Sequence, residues 1–195
     1  MAGRRAAAGL VLAALALTAA GCGLGSTKTV TVTSTKVVTT TKTVTTTPTA
    51  AAPPCTGADL SGTFTLVPGS AGAGQIAYVL TVKNSSHKAC SIHGLPVATL
   101  LSATGSALPT HVRSAGPGAG TSVRVLLQPG ASSVAQARFS PDIPGDGDSQ
   151  SGACQPTAHT LQVTPNGGGV MDAAIQPSTS VCQQGTLTFE SFSYS

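Results

Sequence analysis

Tryptophan is missing from this chain, and its aromatic total is six: four Phe and two Tyr in 195 residues. Stacking platforms for sugars or single-stranded nucleic acid are built from such rings, so that mode of recognition is not expected. Charge is scarce as well, with Asp, Glu, Lys and Arg making up 8 % of the residues. The formal net charge of +4 is an effect of the N-terminal quarter, where Arg4, Arg5, Lys28, Lys36 and Lys42 all precede residue 55. From Cys55 onward five bases (Lys83, Lys88, Arg113, Arg124 and Arg138) stand against six acids (Asp59, Asp142, Asp146, Asp148, Asp172 and Glu190), a net charge of −1. Nucleic-acid binders carry a basic stripe; this domain has none, and no nucleic-acid partner is expected. Past the N-terminus no apolar run approaches the ~20 residues needed to span a bilayer as a helix. No window shows a convincing helical period, and no two cysteines stand in C-x-x-C spacing.

What the chain does have begins with Arg4 and Arg5 ahead of an apolar run from Ala6 to Ala20, built of Ala, Leu and Val with one Gly and one Thr. A short positive region, an apolar stretch and small residues form the pattern of an export signal. The run is too short for a spanning helix, although a short uncleaved anchor is the alternative. Ala19-Ala20-Gly21-Cys22 resembles the bacterial lipobox, in which the chain is cut before the cysteine and that cysteine carries lipid. The resemblance implies a signal peptide over residues 1–21, lipidation of Cys22, and an exported protein held at the outer face of the cytoplasmic membrane.

Residues 22–54 read as a lipidated cysteine followed by a disordered spacer. Between Thr27 and Thr47 the chain consists of twelve Thr, five Val, three Lys and one Ser. β-branched residues keep such a backbone extended, and no large apolar side chain is present to build a core. Pro48 and Pro53-Pro54 close the tract. The density of Thr hydroxyls suits O-glycosylation and an unmodified polar linker equally.

Residues 55–195 form a length suited to one domain. Period-two alternation marks its strands: Ile76, Tyr78, Leu80 and Val82 fall on one face of 75–83; Val123, Val125 and Leu127 alternate; Ala135, Ala137 and Phe139 oppose Gln136 and Arg138. Further strands are expected over 63–67, 97–101, 160–164, 170–175 and 186–192. Pro68-Gly69, Asn84-Ser85-Ser86, Gln128-Pro129-Gly130 and Asn166-Gly167-Gly168-Gly169 supply the turns. Seven or eight short strands predict an all-β fold, an antiparallel immunoglobulin-like β-sandwich. With Cys22 assigned to lipid, Cys55, Cys90, Cys154 and Cys182 remain, an even set that reads as two disulfides in an exported chain. Four cysteines allow three pairings. If the first two strands pair as a hairpin, Cys55 comes to Cys90; if 166–169 turns a hairpin, Cys154 comes to Cys182.

The order of these features resembles a known family. Cys55 opens the domain; a Gly-rich turn leads into an apolar strand ending near Asn84; Cys90-Ser91-Ile92-His93-Gly94-Leu95-Pro96-Val97 follows, then Leu127 to Gly130, then Cys154 and Cys182 before a closing strand. This is similar to the domain of unknown function 4232, found in many actinobacterial lipoproteins, over about residues 55–193. Leu95 stands where that family often carries an aromatic. The resemblance implies an envelope-associated exported domain and brings no catalytic residues.

Three clusters invite chemistry. Gly147-Asp148-Ser149 has the residue types of a serine hydrolase, with His159 ten residues beyond Ser149. A nucleophile needs a base and an orienting group, and neither a Gly-x-Ser-x-Gly elbow nor an Asp-x-x-His is present, so a polar loop is expected and no catalytic residue is assigned. His87, Cys90 and His93, with His111, carry zinc- or copper-type ligands, but Cys90 is claimed by a disulfide. Asp142, Asp146 and Asp148 resemble a weak calcium loop without the full ligand spacing. Gly116-Pro117-Gly118-Ala119-Gly120 lacks the helix of a dinucleotide loop. No metal and no cofactor are expected. The reading is a monomeric, non-catalytic envelope lipoprotein, tied to the membrane through lipid on Cys22, whose partner is an envelope protein or a glycan. The alternative is a small-ligand or metal-binding domain using His87, His93 or the Asp142 to Asp148 loop. A pocket lined by convergent polar groups favours the latter, and a broad exposed apolar patch the former.

Overall fold

The structure, a computed structural model, describes residues 51–117 and 123–195. The signal run, Cys22 and the Thr-rich tract lie outside the described residues, as do positions 118–120 of the Gly116 to Gly120 segment.

The domain is all-β. Among the described residues eleven strands run in chain order: β1 Leu60–Leu66, β2 Ile76–Asn84, β3 Cys90–Ile92, β4 Val97–Leu101, β5 His111–Ser114, β6 Val125–Leu127, β7 Ser132–Phe139, β8 Ala158–Thr164, β9 Met171–Thr179, β10 Thr186–Phe189 and β11 Ser193–Tyr194. Nine of them form one sheet in the order β4-β8-β9-β1-β2-β7-β10-β5, with β11 added to β7; β3 and β6 pair separately. Neighbours are antiparallel except for β1 with β9 and β5 with β10, which are parallel. Both exceptions join strands far apart in sequence, as parallel pairing requires. The two ends of the path meet: Leu108 N donates to Leu100 O at 2.8 Å, and Leu100 N donates to Thr110 Oγ1 at 2.8 Å. β4 is thereby tied to the residues that run into β5, and the sheet curls into a barrel-like shell.

Alternation explains the inside of this shell. Tyr78, Leu80 and Val82 from β2, Ala135, Ala137 and Phe139 from β7, and Leu161 and Val163 from β8 all point into one core. At its centre Phe64 meets Tyr78, Phe139 and Phe189 with ring centroids 5.1, 6.4 and 6.0 Å away. Four of the six aromatics therefore act together, and each fully buried ring contributes about 1.5–3 kcal/mol over its exposed state. The buried Asn84 amide donates to Lys88 O and Leu127 O at 2.8 and 3.0 Å, fastening the β2 end to β6.

Backbone pairing reaches back into the expected spacer. Ser91 N donates to Pro53 O and Cys55 N to Ser91 O, at 2.8 and 2.9 Å, so residues 53–55 run alongside β3. Cys55 is bonded to Cys90 and Cys154 to Cys182, the pairing expected from the two hairpins, which the antiparallel registers of β1 with β2 and β8 with β9 supply. Val123 is not part of a strand and is 64 % exposed, since β6 starts at Val125, where pairing with Ile92 begins.

Candidate functional site

Two loops that are distant in sequence meet beside the end of the sheet. The first follows β7, where Pro141 and Pro144 deny the chain a regular ladder, and contains Gly145, Asp146, Gly147 and Asp148. The second is the tight turn Cys182–Gly185 between β9 and β10. Gln183 and Gln184 both adopt left-handed backbone conformations, at φ 56°, ψ 46° and φ 53°, ψ 41°, a geometry costing a non-glycine residue about 1 kcal/mol or more. Such strain persists only where the surroundings impose it.

Asp148 imposes it. Its carboxylate accepts the backbone N–H groups of Gln183 and Gln184, the latter at 2.8 Å, together with Gly145 N at 2.9 Å and Gln155 Nε2 at 2.7 Å. The Gly145 amide above all, then Gln155 and the two glutamine amides, depress its pKa from 3.8 to about 2, against the opposing effect of desolvation. The Cys154–Cys182 bridge and the Cys182 N to Ser140 O hydrogen bond of 2.9 Å hold the same turn from its other end. Thr186 Oγ1 donates to Gln183 O at 2.7 Å and closes it.

These loops and the edge strand β5 enclose an open cleft of about 500 Å³ lined by His111, Arg113, Gly145, Asp146, Gln183, Gln184 and Thr186. The register of β5 on β10 places His111 opposite Thr186 and Arg113 opposite Thr188, so His111 and Arg113 share one face. Both are exposed, as are Asp146, Gln183 and Gln184. Gln184 Nε2 donates to Asp146 O at 3.0 Å. The cleft therefore offers a guanidinium, an imidazole, a carboxylate, amides and a hydroxyl. Among the described residues no thiol lines it: the two nearby cysteines are bonded to each other.

Of the residues singled out by the sequence, His111 and Asp146 come together in this cleft, whereas the others are dispersed. His87 lies exposed between β2 and β3. His93 is half-buried after β3, with an Nδ1 that is buried and without a hydrogen-bond partner, and Cys90 between them is in a disulfide. The calcium reading of 142–148 does not suit Asp148, whose oxygens face N–H donors. Asp148, Cys154 and Cys182 have potential donor atoms within 4.8 Å of one another, but the two sulfurs form a disulfide and the carboxylate is occupied. Ser149 Oγ donates to Ser151 O at 2.7 Å within its own turn, and His159 is exposed on β8. Sequence reasoning missed Arg113, Gln183, Gln184 and Thr186. The one local signal was the Gln-Gln-Gly run after Cys182, which carries no established motif.

No curated protein and no solved structure matches the chain. One family does, over residues 55–193, a span that opens on Cys55 and holds both disulfides and every strand but the last residue of β11. The chain belongs to the family described as Domain of unknown function (DUF4232).

Proposed function

We propose that this protein is an exported, non-catalytic envelope lipoprotein, anchored by lipid on Cys22 at the outer face of the cytoplasmic membrane, whose β domain binds a small polar ligand in the cleft beside β5. The observation that carries the binding role is the cleft itself. It presents convergent polar groups on a floor held by a disulfide and hydrogen bonds, and among the described residues its His111 and Asp146 have no serine or cysteine beside them in the lining: of the nearby residues, Asp148 is held by four N–H donors, Cys154 and Cys182 by each other, and Ser149 by its own turn. A polar pocket favours a ligand over a broad protein interface. The signal-like run, the lipobox resemblance and the disulfides, which persist in oxidising compartments, support the address. The near-neutral domain leaves the lipid as the main tie to the membrane.

Fractionation of cells expressing the full chain and its Cys22→Ser variant tests the anchor. Wild-type protein should sediment with membranes and the variant should appear in the soluble exported fraction; a variant that stays with the membrane refutes the anchor. Hydrolase activity of the purified chain that disappears on Ser149→Ala would refute the non-catalytic role.

A further inference from the structure

The chemistry of the cleft narrows its ligand, provided that the binding reading above holds. Arg113 is the principal positive charge in it, and among the described residues it has no ion-pair partner. A guanidinium fork matches a planar oxyanion through two parallel hydrogen bonds, and His111, two residues away on the same face of β5, adds a second donor. Asp148 forms no ion pair with Arg113; its two oxygens are taken up by four N–H donors. Asp146 also lines the cleft. A carboxylate there opposes a dianion such as phosphate more strongly than it opposes a monoanion. Asp146 and the Gln183 amide also provide acceptors for donors on the same ligand.

We propose that the cleft binds the carboxylate of an amino acid or of the C-terminal end of a short peptide, with Arg113 as the anchor and Asp146 with Gln183 receiving the ammonium or amide N–H groups of the same molecule. The volume of about 500 Å³ lies in the range of small-molecule sites. The floor is held in advance of binding: the Cys154–Cys182 bridge and the Asp148 hydrogen bonds fix two residues in left-handed conformations that they would otherwise avoid, so little ordering is left to oppose association. Glycines 145 and 147 belong to the same construction, because a Cβ on either would press on the side chain of Gln183 or Gln184.

The test is an NMR titration of the full chain in detergent, with four probes: glycylglycine, its N-acetylated form, glycylglycine amide and inorganic phosphate. Glycylglycine should shift the signals of residues 111–113 and 183–186 saturably. Arg113→Gln should weaken that binding at least about tenfold, as loss of a charged hydrogen-bond donor does, and Arg113→Lys should lose less. Asp146→Asn should weaken glycylglycine more than its N-acetylated form. Arg113 and Asp146 are exposed, and unchanged dispersion of the remaining signals establishes that each variant is folded. If the amide binds as tightly as the acid, or phosphate more tightly than either, the carboxylate assignment is overturned while the cleft remains a binding site. If no probe shifts the cleft residues, the proposal is overturned; shifts confined to another surface overturn the binding reading with it.

Discussion

Substitution of Gly185 by Ala tests whether the cleft floor and the closure of the shell are one mechanical unit. Gly185 has φ +73°, and a Cβ built on it would land on the carbonyl oxygen of Pro109, 2.6 Å from its carbonyl carbon and 3.1 Å from Thr110 Cα. All three are backbone atoms of the run into β5, the segment whose hydrogen bonds with Leu100 join the two ends of the sheet. Two costs add. The left-handed backbone costs alanine about 1 kcal/mol, and displacing a packed backbone adds about 2 kcal/mol, mid-range for overpacking, for a total of about 3 kcal/mol. Gly130→Ala isolates the first cost, since Gly130 has φ +82° and a Cβ there would meet nothing within 4 Å; it should lose only about 1 kcal/mol. For a domain of this size each kcal/mol lowers Tm by roughly 3–4 °C, so the expected losses are about 10 °C and about 4 °C. Urea unfolding of both variants with disulfides intact, followed by far-ultraviolet circular dichroism, gives the free energies directly, and the slope m should be unchanged. A Gly185→Ala loss equal to that of Gly130→Ala would refute the steric argument and with it the coupling of the turn to the barrel closure.

Two further outcomes follow from the same floor. Asp148 has its pKa depressed to about 2 from 3.8, so its contribution to stability is present above the unfolded value and is lost as pH falls through the folded one; Asp148→Asn should remove that portion of the acid dependence of the urea midpoint, and identical pH profiles for wild type and variant would contradict it. Replacing Cys154 and Cys182 together by Ser opens a loop of sequence separation 28, with an expected loss of about 3–4 kcal/mol and faster amide exchange at Gln183 and Gln184; a loss under about 1 kcal/mol would show that the turn is held without the bridge.

How much of this was legible in the sequence differs from element to element for physical reasons. β2 and β7 were readable because one face is core and the other is not, so Tyr78, Leu80, Ala135 and Ala137 alternate with Val79, Thr81, Gln136 and Arg138. β3 was not, because Cys90, Ser91 and Ile92 are all buried and leave no alternation to see. β5 sends only Val112 toward the core and carries exposed His111, Arg113 and Ser114, so four residues of an edge strand look like a loop. The cleft was the least legible part. Gln183 and Gln184 adopt a conformation that their side chains disfavour, imposed by an aspartate more than thirty positions earlier, and no local pattern encodes that.

The sequence by itself determined the all-β class, because period-two burial acts between neighbouring residues and leaves a mark in their order; it left three cysteine pairings open, and the two hairpins that select one of them were supplied by the structure. It also set the near-neutral charge of residues 55–195, which is a count rather than a conformation. Only the tertiary structure decided which distant strands lie side by side, as β1 does with β9 and β5 with β10, and that the ends of the sheet close through Leu100 and Leu108. It alone brought Arg113 to Asp146 and the glutamine turn, since a cleft depends on long-range packing and on one buried carboxylate that ties two loops together.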